Sequence, residues 1–179
     1  MHYPIKRGKY LSCVGIVENE SWDAEQWTAI GEHREFLNDF ENWHEDIITL
    51  TECAKPLACY KWGLFDRYPL TSWSVGRVAL LGDACHPTLP FLAQGAAMAI
   101  EDAAVITDCL ERCEELETGL KLYESLRKKR TTRIQSISRQ NGTIFHMSGL
   151  LARLRNKLAP IVVRDRMHWI YKYDPLSAV

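Results

Sequence analysis

Residues 82–95 combine side-chain and backbone groups that suit a polar, partly anionic ligand. The stretch reads GDACHPTLPFLAQG. The Asp83 carboxylate can accept hydrogen bonds from ligand hydroxyls. The two prolines hold the loop extended and leave its carbonyls free, and a helix that opens at Gly95 offers free N–H groups at its positive end. The pattern predicts a site for a ligand with hydroxyls and a polarisable, partly anionic ring.

Taken alone, Asp83 has a simpler interpretation, because aspartate often caps a turn. The neighbouring residues favour a binding site, since Gly82 lets a ligand approach the backbone. His86 belongs to the same run, and we interpret it as a loop-packing residue. The pair Glu101-Asp102 falls two turns into the predicted helix, where we expect a pair on the surface.

An apolar strand and a small-residue helix must position this loop. Residues 77–81 form a short, continuous apolar run, which predicts a strand that is covered on both faces. The helix predicted over 94–111 carries alanines that allow another backbone to approach closely.

The rest of the chain predicts an α+β fold, with a partial β-sheet first and a helical tail last. Strands are expected in a hairpin over 2–18 and at 58–65. Helices are expected to start near Ser21 and to span 32–42, 44–54, 117–139, 148–158 and 161–171, the last two separated by Pro160.

Composition is that of an ordinary globular protein. The 179 residues are 46% hydrophobic and carry a formal net charge of −1, which gives no reason to expect nucleic acid or a membrane surface as partner. We interpret the basic run 127–139 as a solvated helix face. The six cysteines lack metal-ligand spacing and are expected to be buried free thiols. The amino terminus lacks the apolar core of a signal peptide, so we expect a cytoplasmic protein.

A longer string around the loop has a specific resemblance. Residues 76–106, GRVALLGDACHPTLPFLAQGAAMAIEDAAVI, closely resemble the second FAD-binding motif of the single-component flavoprotein aromatic hydroxylases. The nearest branch looks like the salicylate and 3-hydroxybenzoate hydroxylases. Three further strings resemble the same branch: HYPIKRG, KWGLFDRYPLTSW and MHWIYKYD. The resemblance therefore covers nearly the whole chain.

The resemblance implies a cofactor and a set of residue roles. Asp83 would bind the ribityl chain of FAD, and the loop around Pro90 would lie beside the reactive edge of the ring. The pyrimidine edge of the ring would meet the helix start at Gln94, Gly95 and Ala96. The implied reaction uses NAD(P)H and O₂ to hydroxylate a phenolic acid. Some relatives carry glycine where this loop has Leu92 or Ala93.

The residues implied for the substrate lie elsewhere. His2 and Tyr3 fall on a strand that by resemblance belongs to the substrate-binding sheet. His2 can act as a base on a phenol, although an ordinary strand histidine is the plainer interpretation. Trp62, Phe65 and Arg67 would border the flavin or the substrate, and core packing explains the two aromatic residues equally well.

One part of the family pattern is missing. The sequence contains no GxGxxG, which in full-length members cradles the FAD pyrophosphate. We therefore expect a fragment whose partner is an amino-terminal dinucleotide-binding half, and a homodimer is possible. The expected regions are the end of the substrate sheet at 1–70, the FAD motif at 71–113 and a helical region at 114–179. Two alternatives remain open: an inert homologue that acts as an interaction or dimerisation module, and an FAD-dependent reductase of the same fold.

Overall fold

A computed structural model describes residues 1–18, 28–54 and 59–178, the side chains of 28, 160–166 and 178 excepted. The chain divides into two compact units, residues 1–64 and 65–179. The helix predicted to start near Ser21 and the first residue of the strand predicted at 58–65 lie outside the described residues.

The first unit opens with the predicted β-hairpin. Strands β1 (His2–Ile5) and β2 (Tyr10–Cys13) pair antiparallel, with His2 opposite Cys13. The turn between them begins with Lys6 and Arg7 at positive φ. The second arm is shorter than the predicted 10–18, and beyond its last strand residue Val14 donates to the carbonyl of Met1 at 2.8 Å.

A second strand pair and two helices complete the first unit. Strand β3 (Thr28–Ile30) pairs antiparallel with β4 (Tyr60–Trp62), which is shorter than the strand predicted at 58–65 because residues 63–65 are not in strand conformation. The predicted helices are confirmed, in slightly shorter form, as α1 (His33–Asp39) and α2 (Glu45–Glu52). Just after α1, the buried ring of Phe40 meets two other aromatic rings edge-on.

The strand predicted to be covered on both faces is instead short and exposed. Strand β6 (Val78–Ala79) pairs antiparallel with β5 (Ser74–Val75). Within the described residues β5 is its sole strand neighbour, so its apolar side chains have little to cover them. Val78 is 69% exposed and Val75 is 81% exposed.

The core of the second unit lies between two long helices. Helix α3 (Gly95–Arg112) and helix α4 (Leu116–Phe145) are joined by three residues and therefore pack antiparallel. Both confirm predicted helices. Their facing side chains are fully buried: Met98, Val105 and Cys109 from α3, and Tyr123 and Ile134 from α4.

Two further helices follow, and the predicted break at Pro160 is wrong. Helix α5 (Gly149–Arg166) runs through Pro160 and is followed by α6 (His168–Tyr171). A proline removes one backbone donor and disturbs one turn, and the helix-forming residues before it are enough to continue the helix here. The α+β fold class is confirmed. Among the described residues, no helix combines the length and apolarity needed to cross a membrane.

The packing of α3 against α4 predicts a contrast between two residues of the same helix. Met98→Ala should lower the free energy of unfolding by about 2–5 kcal/mol, because a fully buried side chain leaves a cavity. The matched control Ile100→Ala, at a position that is 72% exposed, should change it by less than about 0.5 kcal/mol. Urea unfolding followed by circular dichroism measures both. Equal losses would contradict the described orientation of α3.

Candidate functional site

The loop of residues 82–95 begins at a glycine that no other residue can replace without strain. Gly82 has φ +60°, and a Cβ added there would lie 3.2 Å from the Cβ of Ala99 on α3. Its carbonyl accepts hydrogen bonds from the N–H groups of Cys85 and His86, both at 3.0 Å. The result is a 3₁₀ turn (Gly82–Ala84) held close to the helix.

Asp83 lies on the exposed side of this turn. Its side chain faces solvent, and Oδ1 is 3.9 Å from the point that a Cβ on Gly95 would occupy. That same point is 3.6 Å from the methyl group of Thr88. A side chain at position 95 would fill this space, so the glycine leaves an open cradle between the carboxylate and the start of α3.

The chain enters α3 through a strained reversal. A second 3₁₀ turn (Pro90–Leu92) ends at Ala93, which has φ 51° and ψ 36° and donates to the carbonyl of Pro90 at 3.0 Å. These are left-handed dihedral angles, which a residue with a Cβ rarely adopts. This is one of the two positions where we expected relatives to carry glycine.

The start of α3 presents free backbone donors. The side chain of the N-cap residue Gln94 makes no capping hydrogen bond. The first hydrogen bond of the helix is donated by the Met98 N–H to the Gln94 carbonyl at 2.9 Å. The N–H groups of residues 95–97 therefore have no acceptor within the helix. Together with the helix dipole they form a site for negative charge beside Asp83.

Helix α4 holds the loop from below, and this corrects the prediction that the loop carbonyls are free. Three of them accept hydrogen bonds from one face of α4: Pro87 O from Gln135 Nε2 at 2.8 Å, Leu89 O from Ser138 Oγ at 2.6 Å, and Phe91 O from Asn141 Nδ2 at 3.2 Å. Residues three apart lie on the same face of an α-helix. Sequence reasoning missed these side chains, although their spacing of three residues was a usable signal.

Beneath the turn, the carboxylate of Asp102 is fully buried, so the prediction of a surface pair is wrong. Its Oδ2 accepts from the Gly82 N–H at 3.1 Å and from His86 Nε2 at 2.5 Å. Its Oδ1 accepts from Arg127 Nε at 2.7 Å. An ionised carboxylate can only accept, which places the proton of the His86 ring on Nε2. His86 is itself buried, packed 5.3 Å from the ring of Trp73.

Two arginines of the basic run are also buried, which corrects the prediction of a solvated helix face. Arg127 NH2 contacts Glu101 Oε2 at 2.7 Å, and Arg130 NH2 contacts Glu101 Oε1 at 2.7 Å. Arg127 NH1 also donates to the hydroxyl of Tyr173 at 3.1 Å, and the Arg130 guanidinium stacks 3.8 Å over the ring of Tyr173. The charges of residues 101 and 102 thus balance those of two helix α4 arginines.

The network keeps its groups charged despite burial. Burial alone raises the pKa of Asp102, but hydrogen bonds from His86 and Arg127 outweigh it and hold that pKa below its ordinary value. Burial lowers the pKa of Arg127, and its hydrogen bond and charge interaction with Asp102 more than reverse this. Both groups therefore stay ionised at neutral pH.

A metal ion is not supported at this cluster. Ligand atoms of Cys85, His86 and Asp102 all lie within 4.8 Å of one another and are buried. Burial, however, raises the pKa of the Cys85 thiol to about 12, and both oxygens of Asp102 already accept hydrogen bonds. The hydrogen-bond network therefore already uses the carboxylate oxygens that a metal ion would need.

The structure brings the implied FAD residues together in the second unit. Asp83, Pro90 and Ala96 are exposed, whereas the side chain of Gln94 is buried, so Gln94 offers only its backbone. A depression of about 700 Å³ lies beside Arg77 and the start of α4, and none of residues 82–96 lines it.

The implied substrate residues belong to the first unit. His2 and Tyr3 lie on β1 and Trp62 on β4. His2 and Asp46 are among the residues that line a concavity of about 350 Å³. Tyr3 and Trp62 are both exposed. Phe65 and Arg67 open the second unit, where the Arg67 carbonyl accepts from Gln135.

Comparison with known proteins gives one family and consistent relatives. The profile described as FAD binding domain matches residues 21–140. The chain is 36% identical to 3-amino-4-hydroxybenzoate 2-monooxygenase PtnB3 of Streptomyces platensis, an alignment that covers 96% of this chain and 44% of that protein. It is 35% identical to 3-hydroxybenzoate 6-hydroxylase of Klebsiella oxytoca, over 88% of this chain and 39% of that one. The chain thus spans less than half the length of these relatives.

Solved structures agree with the sequence relatives. A salicylate hydroxylase substrate complex matches with a TM-score of 0.78 and 28% identity, over 99% of this chain and 45% of that one. HpxO of Klebsiella pneumoniae, complexed with FAD and uric acid, matches with a TM-score of 0.63 and 27% identity, over 70% of this chain and 33% of that one.

The left-handed residue before α3 predicts a stabilising substitution. Ala93→Gly should raise the free energy of unfolding by about 0.5–1 kcal/mol, because it relieves a left-handed penalty of about 1–2 kcal/mol while adding chain entropy to the unfolded state. Ala103→Gly, at an exposed position in the middle of α3, should instead lower it by about 1 kcal/mol. Thermal unfolding of both variants tests this. A loss of stability in Ala93→Gly would contradict the dihedral angles described for Ala93.

The lowered pKa of Asp102 predicts the pH dependence of stability. A carboxyl whose pKa is lower in the folded state stabilises the fold above its unfolded pKa of about 3.9, and loses this contribution as the pH falls through its folded value. The free energy of unfolding should therefore decline as the pH is lowered below about 4. Urea unfolding at pH 7, 5, 4 and 3 measures it. A constant free energy down to pH 3 would show that the folded state does not stabilise the carboxylate.

Proposed function

The chain belongs to the FAD binding domain family, with aromatic-ring monooxygenases among its relatives, and we propose on this basis that residues 82–96 form part of an FAD site in an aromatic-ring hydroxylase. The observation that carries the proposal is the uncapped start of α3 beside the exposed Asp83 carboxylate. One end of this surface accepts hydrogen bonds and the other donates them. FAD has both a polyol chain and an electron-rich ring.

Each part of the loop has a proposed role toward FAD. The Asp83 carboxylate accepts hydrogen bonds from the ribityl hydroxyls, and Gly82 keeps the backbone close enough for them to reach it. The N–H groups from Gly95 onward stabilise negative charge on the pyrimidine edge of the ring. Pro90, exposed at the start of its turn, lies beside the reactive edge and helps to exclude water. Ala96 and the Gln94 backbone extend the same surface.

Bound FAD supplies the redox chemistry with which NAD(P)H and O₂ hydroxylate an aromatic ring. The proposed substrate is a phenolic acid, in keeping with the hydroxybenzoates named in two relatives. His2 is the proposed base that takes the phenol proton, because a neutral imidazole nitrogen can accept a proton. Tyr3 and Trp62 are proposed to border the substrate.

A second polypeptide region is proposed to complete the site. Apolar side chains are exposed on the strand before the loop and on the helix after it: Val78 at 69% and Ile100 at 72%. We assign these side chains to an interface, and the proposed occupant is an amino-terminal dinucleotide-binding half. The proposed regions are the end of the substrate sheet at 1–70, the FAD motif at 71–113 and the helical region at 114–179. Homodimerisation and a cytoplasmic location, which the six free thiols suit, belong to the same proposal.

The same exposed surface favours one alternative: an inert homologue that acts as an interaction module. A reductase that keeps the flavin but not the oxygen transfer is the other alternative. Product analysis separates them. Flavin binding and NAD(P)H oxidation without a hydroxylated phenolic acid favours the reductase, and no flavin binding in any combination favours the interaction module.

The role of Asp83 predicts the effect of its removal on cofactor affinity. Asp83→Ala should weaken FAD binding by about 10–100-fold, because hydrogen bonds to a charged group contribute about 1.5–3 kcal/mol. Quenching of flavin fluorescence measures the Kd, first with the chain alone and then with the remaining part of the Streptomyces platensis relative supplied as a separate polypeptide. The fold should be unchanged, since the side chain is exposed.

The matched control is Asp108→Ala. Asp108 lies on α3 outside the proposed site, where its half-buried carboxylate pairs with Arg112 at 2.8 Å. FAD affinity should be that of the unmutated chain. Equal affinity in the Asp83→Ala variant would contradict the proposed ribityl contact.

A further inference from the structure

We propose that Asp102 is the positioning residue of the FAD loop: its buried carboxylate fixes both ends of the turn that carries Asp83 against helix α3. The inference rests on the proposed function of that loop. Asp102 does not reach the proposed cofactor surface itself, because it is fully buried beneath the turn. It acts through Gly82 and His86.

The turn is held at both ends by a single carboxylate oxygen. Oδ2 of Asp102 accepts from the Gly82 N–H at 3.1 Å and from His86 Nε2 at 2.5 Å. A bond from the His86 N–H to the Gly82 carbonyl, at 3.0 Å, closes the same five residues into a ring. Asp83 directly follows Gly82 in this ring. A displacement of either end therefore moves the carboxylate that is proposed to bind FAD.

The helix presents Asp102 to the loop by its spacing. Positions 95, 99 and 102 follow the i, i+4, i+7 pattern that places residues on one helix face. Gly95 faces Asp83, Ala99 contacts Gly82, and Asp102 holds the backbone of Gly82. One stripe of α3 thus sets the distance between the turn and the free N–H groups at the start of the helix.

The other oxygen of Asp102 connects the turn to the rest of the unit. Oδ1 accepts from Arg127 Nε at 2.7 Å, and the same guanidinium donates to Glu101, to the Met98 carbonyl and to the Tyr173 hydroxyl. The guanidinium is therefore fixed by four groups and cannot follow the loop if the loop moves. One oxygen of the Asp102 carboxylate is thus fixed by Arg127, and the other oxygen holds the turn.

A purely structural role for the ion pair makes a different prediction. A buried ion pair can often be exchanged for neutral residues without loss of stability, whereas removing one partner leaves an uncompensated charge. If Asp102 only neutralises Arg127, removing both charges should restore the stability of the fold, the slow amide exchange of the turn and the affinity for FAD. If Asp102 also positions the turn, removing both charges should restore the fold and leave the turn loose.

The test compares three variants of the full chain: Asp102→Asn, the double variant Asp102→Asn/Arg127→Gln, and the control Asp108→Asn, which changes a half-buried carboxylate of the same helix that does not contact the turn. Site-resolved hydrogen exchange reports on the amides of Gly82, Cys85 and His86, with Ile134 in the middle of α4 as the internal reference. Thermal unfolding reports on the fold, and flavin fluorescence on the Kd for FAD.

The double variant should regain most of the thermal stability that Asp102→Asn loses. Its turn amides should exchange at least about tenfold faster relative to Ile134, which is the effect of a lost hydrogen bond to a charged acceptor, and FAD should bind about tenfold more weakly. Asp108→Asn should match the unmutated chain in all three measurements. Unmutated exchange rates at Gly82 and His86 in the folded double variant would overturn the proposal.

Two further outcomes are decisive. If neither Asp102 variant folds, the ¹⁵N spectrum of the His86 ring in the unmutated chain settles the matter: a proton on Nε2 supports the contact with Asp102, and a proton on Nδ1 alone overturns it. If the unmutated chain binds no FAD, alone or with the complementing polypeptide, the proposed function fails. The exchange comparison still decides whether Asp102 positions the turn.

Discussion

A charge can be buried only if its partners are complete, and this constraint organises the second unit. The carboxylate of Asp102 has lost all contact with solvent, and three donors from the loop and from α4 replace the water. One donor comes from the backbone of the loop, one from a loop side chain and one from α4. The position of each is therefore set by the other two, and the loop, α3 and α4 form one arrangement.

The candidate site depends on this arrangement more than on its own exposed residues. Asp83 and the start of α3 are open to solvent and make few contacts that would hold them. Their spacing comes from buried groups that never face the ligand: Asp102 beneath the turn, and three polar side chains of α4 beneath the rest of the loop. A surface that must bind a ligand with free groups cannot also use those groups to hold itself in place. Buried groups that do not face the ligand therefore have to hold this surface in place.

The sequence predicted the parts of this unit that follow from local patterns. The strand–loop–helix order, the two long helices and the glycine at the start of α3 were all evident, because apolar periodicity and glycine or proline placement act over a few residues. The pairing of Glu101 and Asp102 with Arg127 and Arg130 was not predicted, because a charged residue on a helix looks the same whether its partner is water or a residue 25 positions away. The exposure of β6 had a similar cause: an apolar run predicts that a strand is covered, but it does not identify what covers it. Pro160 shows the limit of a local rule, since one missing donor did not end α5.

The match between the loop and α4 constrains the length of the loop more tightly than its sequence. Carbonyls at 87, 89 and 91 meet side chains at 135, 138 and 141, so every second peptide of the loop is in phase with one face of the helix. Substitutions at the alternate positions Thr88 and Pro90 leave these three bonds in place. A one-residue insertion or deletion between 87 and 91 would turn the later carbonyls away from their donors and shift the start of α3 along the chain. Evolutionary change in this segment should therefore proceed by replacement of residues at constant length.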